Sequence, residues 1–450
     1  MPNVKMKQRL FGTDGIRAKV GDGIFTRERV KTLGWAIGLW LTRQRQGEKK
    51  ILIGRDTRKS GPMLEEALAA GLMDYGISVV NCDVLPTPAI AHLTGRFGFD
   101  LGIVISASHN TWEYNGIKCF DTNGFKLPDK LEDEIEIFIH ENDGLPIPKK
   151  SPATKKTLVN FKKYYLDHLL NAAEGLDLGA MKLVVDCANG AASAIAPKLF
   201  ETLGARAIMI NASPNGTNIN DKCGSLFTKG LHEAVLSHNA DLGLALDGDG
   251  DRLIGCDELA NTLDGDYFMS FLAKEMIKDS SLAKNTLVVT QMSNIAVDVA
   301  LSEAGGRAVR TDVGDKFVFQ RMQQDNLNFG GEQSGHMIFL DDSTTGDGLI
   351  SAIRLLKAVK RNNKPASELF GWFKKYPQVL VNIRVGRKTP FEDIPGLCSR
   401  IEMHRELLGD KGRIFVRYSG TEPLARVMVE GPKEDTVREI ANSIASCFND

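Results

Sequence analysis

The chain has 450 residues, about three domains' worth at roughly 150 residues each and more than one hydrophobic core holds. Its 42% hydrophobic and 25% charged residues are those of an ordinary globular protein and exclude disordered, collagen-like and coiled-coil classes. Lys and Arg total 56 against 57 Asp and Glu, a net charge of −1, so no general basic field draws nucleic acid or an anionic membrane. Any anion must be met by local charge.

Apolar residues at helical spacing predict a helix over Thr26 to Arg43, followed by a strand at Ile51 to Gly54. Pro62 stands where a second helix starts. That helix runs over Leu64 to Tyr75, with a strand at Ile77 to Val80, a Pro-Thr-Pro turn, a helix ending near Gly95, and a strand at Leu101 to Ile105. The rhythm returns as strand Lys182 to Asp186, helix Ala191 to Leu203, strand Arg206 to Ile210, a helix near Leu231 to Ser237 and strand Asp241 to Leu246. A third round has strand Thr286 to Thr290, helix Ile295 to Ala304, strand Ala308 to Arg310, helix Lys316 to Gln323 and a strand ending at Phe329-Gly330-Gly331. Strands alternating with helices imply βαβ crossovers and largely parallel sheets. No residue-level repeat accompanies the triplicated element order.

The polar stretches Asn142 to Lys156 and Lys360 to Pro365 read as linkers. Beyond the second the pattern changes to strand Gln378 to Val385, helix Ile394 to Leu408, strands Arg413 to Val416 and Ala425 to Val429, and helix Lys433 to Phe448. The expected fold is three similar α/β modules with mixed, largely parallel sheets plus a C-terminal α+β domain around a central cleft. The segments are 1–156, 157–259, 260–368 and 369–450. The seven cysteines are scattered with no Cys-x-x-Cys pair, which argues against a zinc cluster or disulfide framework. Met1 to Arg17 holds no apolar signal region, and no run approaches about 18 apolar residues, so a reducing cytoplasm is the expected location.

Four loops carry chemistry. Ser106-Ala107-Ser108-His109-Asn110 follows the strand Leu101 to Ile105, at the carboxyl end where open α/β sheets bind ligands. Ser108 is a candidate nucleophile or phosphate carrier, with Lys118 or Arg17 to offset anionic charge; equally, Ser and Asn are ordinary turn residues. No Gly-x-Ser-x-Gly elbow supports a serine hydrolase. The strongest signal is Asp247-Gly248-Asp249-Gly250-Asp251-Arg252: alternate carboxylates repel one another unless a hard divalent cation sits among them. An EF-hand needs glycine where Arg252 stands and helical flanks where these read as strand. An arginine beside a metal triad suits phosphoryl chemistry.

In Gly330-Gly331-Glu332-Gln333-Ser334-Gly335-His336, Glu332 and Ser334 can bond adjacent hydroxyls such as those of a sugar, and His336 can move protons or serve structurally. Arg417-Tyr418-Ser419-Gly420-Thr421-Glu422-Pro423 with Arg426 forms either a nest for a phosphate dianion or a solvated hairpin turn. There is no Walker A motif.

In this order, the loops resemble those of the α-D-phosphohexomutase superfamily over nearly the whole chain, together with the opening Phe11-Gly12-Thr13-Asp14-Gly15-Ile16-Arg17 and Asn115-Gly116-Ile117-Lys118. The resemblance implies a four-domain, heart-shaped enzyme whose phosphorylated Ser108 gives its phosphoryl group to a hexosamine phosphate. Glucosamine 1,6-bisphosphate would be the intermediate, turning over to return its other phosphate. It implies Mg²⁺ on Asp247, Asp249, Asp251 and the phosphoserine, and sugar hydroxyls on Glu332 and Ser334. The non-reacting phosphate would lie on Arg417, Ser419, Gly420, Thr421 and Arg426, with Arg17, His109, Lys118 and Arg252 around the reacting one. Lys118 and His336 are its acid and base candidates. Gln333 and the opening segment go with glucosamine in this resemblance, and glucose or mannose phosphate is the rival substrate. A phosphatase would instead pass the phosphoryl group to water, and a binding module would show no turnover. A monomer or homodimer without nucleic-acid or membrane partners is expected. Thr111, where the family usually has proline, and Lys316, where many relatives have arginine, depart from the pattern.

Overall fold

The computed structural model describes residues 10–448 apart from residues 13, 45–46, 142–154, 158–159, 180, 410–411 and 420–422. The first module comprises β1 (Ile16–Lys19), α1 (Arg27–Gln44), β2 (Lys50–Arg55), α2 (Gly61–Asp74), β3 (Ser78–Val84), α3 (Thr87–Phe97), β4 (Leu101–Ile105), β5 (Tyr114–Phe120), α4 (Asp129–Glu141) and β6 (Lys155–Thr157). Its sheet order is β1-β5-β4-β2-β3-β6. β4, β2, β3 and β6 run parallel to one another, and β5 is antiparallel to both β4 and β1. Every residue of β4 is buried, as an uninterrupted apolar run covered on both faces requires.

The second module follows with α5 (Phe161–Ala172), β7 (Lys182–Asp186), α6 (Ala196–Thr202), β8 (Arg206–Ile210), α7 (Lys229–His238), β9 (Leu242–Leu246), β10 (Leu253–Asp257) and β11 (Thr262–Leu263), in sheet order β11-β10-β9-β7-β8. The third has α8 (Gly265–Lys278), β12 (Thr286–Thr290), α9 (Ala296–Glu303), β13 (Arg307–Thr311), α10 (Asp315–Asp325), β14 (Phe329–Gly331), β15 (Met337–Phe339), α11 (Gly348–Asn362) and α12 (Ala366–Phe370), in order β13-β12-β14-β15. The fourth is an antiparallel sheet of β16 (Gln378–Arg384), β18 (Leu424–Glu430) and β17 (Arg413–Tyr418), with α13 (Leu397–Leu408) and α14 (Glu434–Ala445). The expected class is what forms, three α/β modules and a C-terminal α+β domain.

Three local expectations change. The helix read over Ala191 to Leu203 is interrupted: a 3₁₀ turn over Ala191–Ala194 precedes α6, because Pro197 lacks the N–H a continuous helix would need and fits only a first turn. The Pro-Thr-Pro turn is itself the start of α3, which closes on Gly98 at φ 64°. The stretch Lys360 to Pro365 is no open linker, since Lys360, Arg361 and Asn362 complete α11 and Pro365 caps α12. Of Asn142 to Lys156, only Lys155 and Lys156 fall within the described residues, as part of β6.

The modules do not keep separate cores. One apolar cluster runs from α3 of the first module through α5 and α6 of the second into α8, α11 and α12 of the third. A second lies on the other face of the first sheet, and the fourth module has its own. Among the described residues no helix is long and apolar enough to cross a membrane.

Where α3 meets α5, His92 and His168 stack with centroids 3.8 Å apart and planes at 20°. Both Nε2 atoms are buried without a hydrogen-bond partner. Burial, then His168 and Arg96, bring His92 from 6.5 down to about 4, and burial lowers His168 too. Above pH 6.5 both rings are neutral whether or not the chain is folded; below it the unfolded chain takes protons that the folded His92 refuses until about pH 4. Stability is therefore expected to fall across that window. Urea midpoints should fall less steeply with acid for His92→Gln than for the unaltered chain, and identical slopes would exclude the pair as a cause.

Candidate active site

The Ser108 loop leaves the carboxyl end of β4 and is buried at Ser106, Ala107 and Ser108. Ser108 takes φ 49°, in the left-handed region that side chains disfavour. Its Oγ donates to Asp247 Oδ2 at 2.7 Å and lies 3.2 Å from His109 Nδ1. Lys118 comes from β5, antiparallel to β4, which places its base beside the loop. Such proximity needs glycine at 116: a Cβ there would lie 2.2 Å from the Ser106 carbonyl oxygen.

The acidic loop Asp247 to Arg252 links β9 to β10, adjacent antiparallel strands. Asp247 Oδ1 accepts the Asp251 and Arg252 N–H groups at 3.1 and 3.2 Å, folding the loop inward. One oxygen from each of Asp247, Asp249 and Asp251 lies within 4.8 Å of the others. Lys118 Nζ takes one oxygen of Asp249 (2.9 Å) and one of Asp251 (3.2 Å). Their other oxygens, both Oδ1, are buried with no hydrogen-bond partner. Burial, followed by the Asp251 and Asp249 charges, pushes Asp247 well above the usual carboxylate range. An all-oxygen set of three close carboxylates, two of whose oxygens accept no hydrogen bond, fits a hard divalent cation.

The electrostatics separates the other groups. Burial opposes a charge on Lys118, but Asp14, Asp249 and Asp251 outweigh it and hold the ammonium. Asp14 Oδ2 accepts from Lys118 and from Arg17 Nη2, each at 2.9 Å, and Arg17 Nη1 reaches Asn110 Oδ1 at 3.1 Å. Burial, then Arg252 and Arg17, lower His109 to about 4, leaving a neutral imidazole beside Ser108. Burial likewise opposes a proton on His336, but Asp251 and Asp315 outweigh it and raise its pKa. Its Nδ1 lies 3.6 Å from Asp251 Oδ1, and its Nε2 accepts the Gly346 N–H at 3.2 Å, 3.4 Å from Asp315 Oδ2. A proton on Nε2 exchanges the Gly346 bond for Asp315.

The third loop is sewn to the acidic loop through the backbone: Arg252 and His336 form a bridge, and Leu253 N–H donates to the Gly335 carbonyl at 3.0 Å. Burial, then Asp315, raises Glu332 above its ordinary range, and Ser334 Oγ is buried without a hydrogen-bond partner. The Gln333 side chain turns away to Asp266, donating to Oδ2 at 3.1 Å, so it braces the loop from behind. On the fourth module Arg417 and Arg426 are direct cross-strand partners, a like-charged pair. Burial, then Arg426, lowers Arg417. Ser419 is buried beside them, its N–H on the Leu424 carbonyl and its own carbonyl taking Lys388 Nζ at 2.6 Å. Gly420 and Thr421 lie outside the described residues.

The structure thus gathers Ser108, His109, Arg17, Lys118, Arg252, His336 and the three aspartates, and groups Arg417, Ser419 and Arg426 separately. Sequence reading missed several supporting residues. Lys126 bridges Asp14 and Asp315. Arg58 binds the Thr111 carbonyl, so the departure at that position enters through the backbone. Lys316 pairs with Asp129.

A buried serine against a carboxylate triad, ringed by cations at the ends of three α/β sheets, defines a phosphoryl-transfer site. Models of the phosphoglucomutase/phosphomannomutase alpha/beta/alpha domains I, II and III match residues 8–145, 163–260 and 264–376, and that of the C-terminal domain matches 380–446. The chain belongs to this family of isomerase-class phosphotransferases. The phosphoglucosamine mutase of Pelobacter propionicus is 46% identical over 440 residues, 97% of each chain. A phosphoglucomutase/phosphomannomutase family protein from Burkholderia thailandensis shares the fold at TM-score 0.82 and 22% identity, covering 99% of this chain and 98% of its own. The N-acetylphosphoglucosamine mutase of Aspergillus fumigatus, solved with GlcNAc-6P and magnesium, does so at 0.66 and 17%, covering 94% and 99%.

Proposed function

We propose that the protein interconverts glucosamine 6-phosphate and glucosamine 1-phosphate through a phosphorylated Ser108. The carrying observation is the Ser108 hydroxyl 2.7 Å from Asp247 in a buried carboxylate triad, and the hexosamine is the substrate for which its full-length relatives are named. In the first half-reaction the sugar's 1-hydroxyl oxygen attacks the phosphorus on Ser108. The P–Oγ bond breaks, the hydroxyl proton leaves to a basic side chain, and Ser108 Oγ regains a proton. The resulting glucosamine 1,6-bisphosphate reverses in the site. Ser108 Oγ then attacks the 6-phosphate, releasing the sugar's 6-hydroxyl and restoring the phosphoserine.

Arg17, His109, Lys118 and Arg252 bind the reacting phosphate, with Lys118 and His336 carrying protons. Glu332 and Ser334 orient the sugar, and Arg417, Ser419, Gly420, Thr421 and Arg426 hold the other phosphate. Each of the segments 1–156, 157–259, 260–368 and 369–450 supplies one loop. Asp247, Asp249, Asp251 and the phosphoserine would hold Mg²⁺, which when bound offsets the roughly −1.5 to −2 charge of the phosphate. The product would feed UDP-N-acetylglucosamine synthesis and hence cell-wall precursors.

The test is ³¹P NMR of the protein with Mg²⁺, a trace of sugar bisphosphate, and glucosamine, glucose or mannose 6-phosphate in parallel. Preferred conversion of glucosamine 6-phosphate is expected. A preference for glucose or mannose overturns the sugar assignment, and accumulation of inorganic phosphate overturns the mutase.

A further inference from the structure

We propose that Arg58 and Asn220 are positioning residues for phosphoryl transfer: they hold Ser108 in its left-handed conformation and so aim its hydroxyl. The inference rests on Ser108 being the phosphoryl carrier. Glycine is the residue that favours φ 49°, and glycine has no hydroxyl to phosphorylate, so the fold must stabilise this backbone from outside.

It does so with two donors on the same two carbonyls. The Ser108 carbonyl accepts from Arg58 Nη2 at 2.9 Å and from Asn220 Nδ2 at 2.8 Å. The Asn110 carbonyl accepts from the same two nitrogens, each at 2.8 Å. A right-handed or extended Ser108 turns its carbonyl away from both donors, so these bonds select the left-handed form.

Arg58 is itself fixed. Its Nε and N–H donate to Asp56 at 2.8 and 2.9 Å, and Asp56 also accepts the Ser106 hydroxyl at 2.6 Å. Ser106 Oγ in turn accepts the Ser108 N–H at 2.9 Å, holding the loop from its other side. Asn220 arrives from the second module, anchored by its N–H to the Ala188 carbonyl at 2.9 Å. Gly248 of the metal loop presses on the same junction, where a Cβ would lie 2.6 Å from Asn220 Nδ2 and 2.7 Å from the Ser108 oxygen. Arg58 is 1% exposed and Asn220 4%, so both lie beneath the loop, out of a substrate's reach.

The fixed element of the cycle is therefore the serine loop, and what moves is the bound sugar. Loosening the loop should slow phosphoryl transfer in both directions while leaving sugar-phosphate binding alone. Asn220→Asp keeps the size but turns an acceptor toward two carbonyls; Asn220→Ala removes one donor of the pair. Steady-state kinetics with glucosamine 6-phosphate should show kcat lower by about 100-fold for Asn220→Asp and about 10-fold for Asn220→Ala, with KM within about twofold. Single-turnover transfer from the isolated phosphoenzyme should slow in the same order. Arg58→Lys keeps the charge against Asp56 but not the forked donors, and should not restore the rate. Should Asn220→Asp fail to fold, Asn220→Ala decides. Wild-type transfer rates in the folded variants, or a raised KM at unchanged kcat, would overturn the proposal. An unaltered enzyme that carries and transfers no phosphoryl group would instead overturn the function on which it rests.

Discussion

Ser108→Ala is expected to lower interconversion of the glucosamine phosphates by roughly 10⁴-fold or more while leaving the fold and sugar-phosphate binding in place. The substitution removes only the hydroxyl, with its contacts to Asp247 and His109. The bonds that shape the loop go to the Ser108 backbone: its N–H donates to Ser106 Oγ, and its carbonyl accepts from Arg58 and Asn220. Ser106 Oγ does not take over, because it is committed to Asp56 and the Ser108 N–H. The like-charged Arg417 and Arg426 are untouched on the fourth module. Calorimetric titration should therefore still show glucosamine 6-phosphate binding, and ³¹P NMR should show no 1-phosphate. Residual conversion within about tenfold of the unaltered enzyme would mean that Ser108 does not carry the phosphoryl group.

Three main strands were legible because burial on both faces demands continuous apolar sequence: Leu101–Ile105, Lys182–Asp186 and Thr286–Thr290 form where the runs stand. The acidic loop was legible for a different reason, since alternate carboxylates and glycines have few other uses. Tyr114–Phe120 was not, because Asn115, Gly116 and Lys118 carry no strand pattern; pairing with β1 and β4 imposes it. Asp14, Arg58, Lys126, Asn220 and Asp315 look like solvated surface in a one-dimensional reading, and only the folded chain brings them to the site. Asp56-Thr57-Arg58 did offer a signal, an opposite-charged pair directly after an apolar strand at the sheet's ligand-binding edge. Gln333 went with glucosamine only through the resemblance, and its side chain donates to Asp266.

Asp247→Asn is expected to raise stability without metal and to lower turnover by roughly 10³-fold with it. Asp247 is fully buried, and burial with the Asp251 and Asp249 charges raises its pKa well above the ordinary value of 3.8. A carboxyl whose pKa is higher folded than unfolded weakens the fold at every pH above its unfolded value, neutrality included. The amide removes that penalty at nearly equal size. Its oxygen can still accept the Asp251 and Arg252 N–H groups, and its nitrogen can donate to Ser108 Oγ. What it cannot do is supply the third anionic oxygen beside Asp249 and Asp251. With Mg²⁺ at about 100 times its Kd, the unaltered protein should gain roughly 2.7 kcal/mol and the variant much less. The order of the two melting temperatures should then reverse between chelator and excess Mg²⁺, in step with the loss of turnover. An undiminished Mg²⁺-induced rise in the variant would place the cation elsewhere, and a lower melting temperature in chelator would show that the carboxylate is needed for the fold itself.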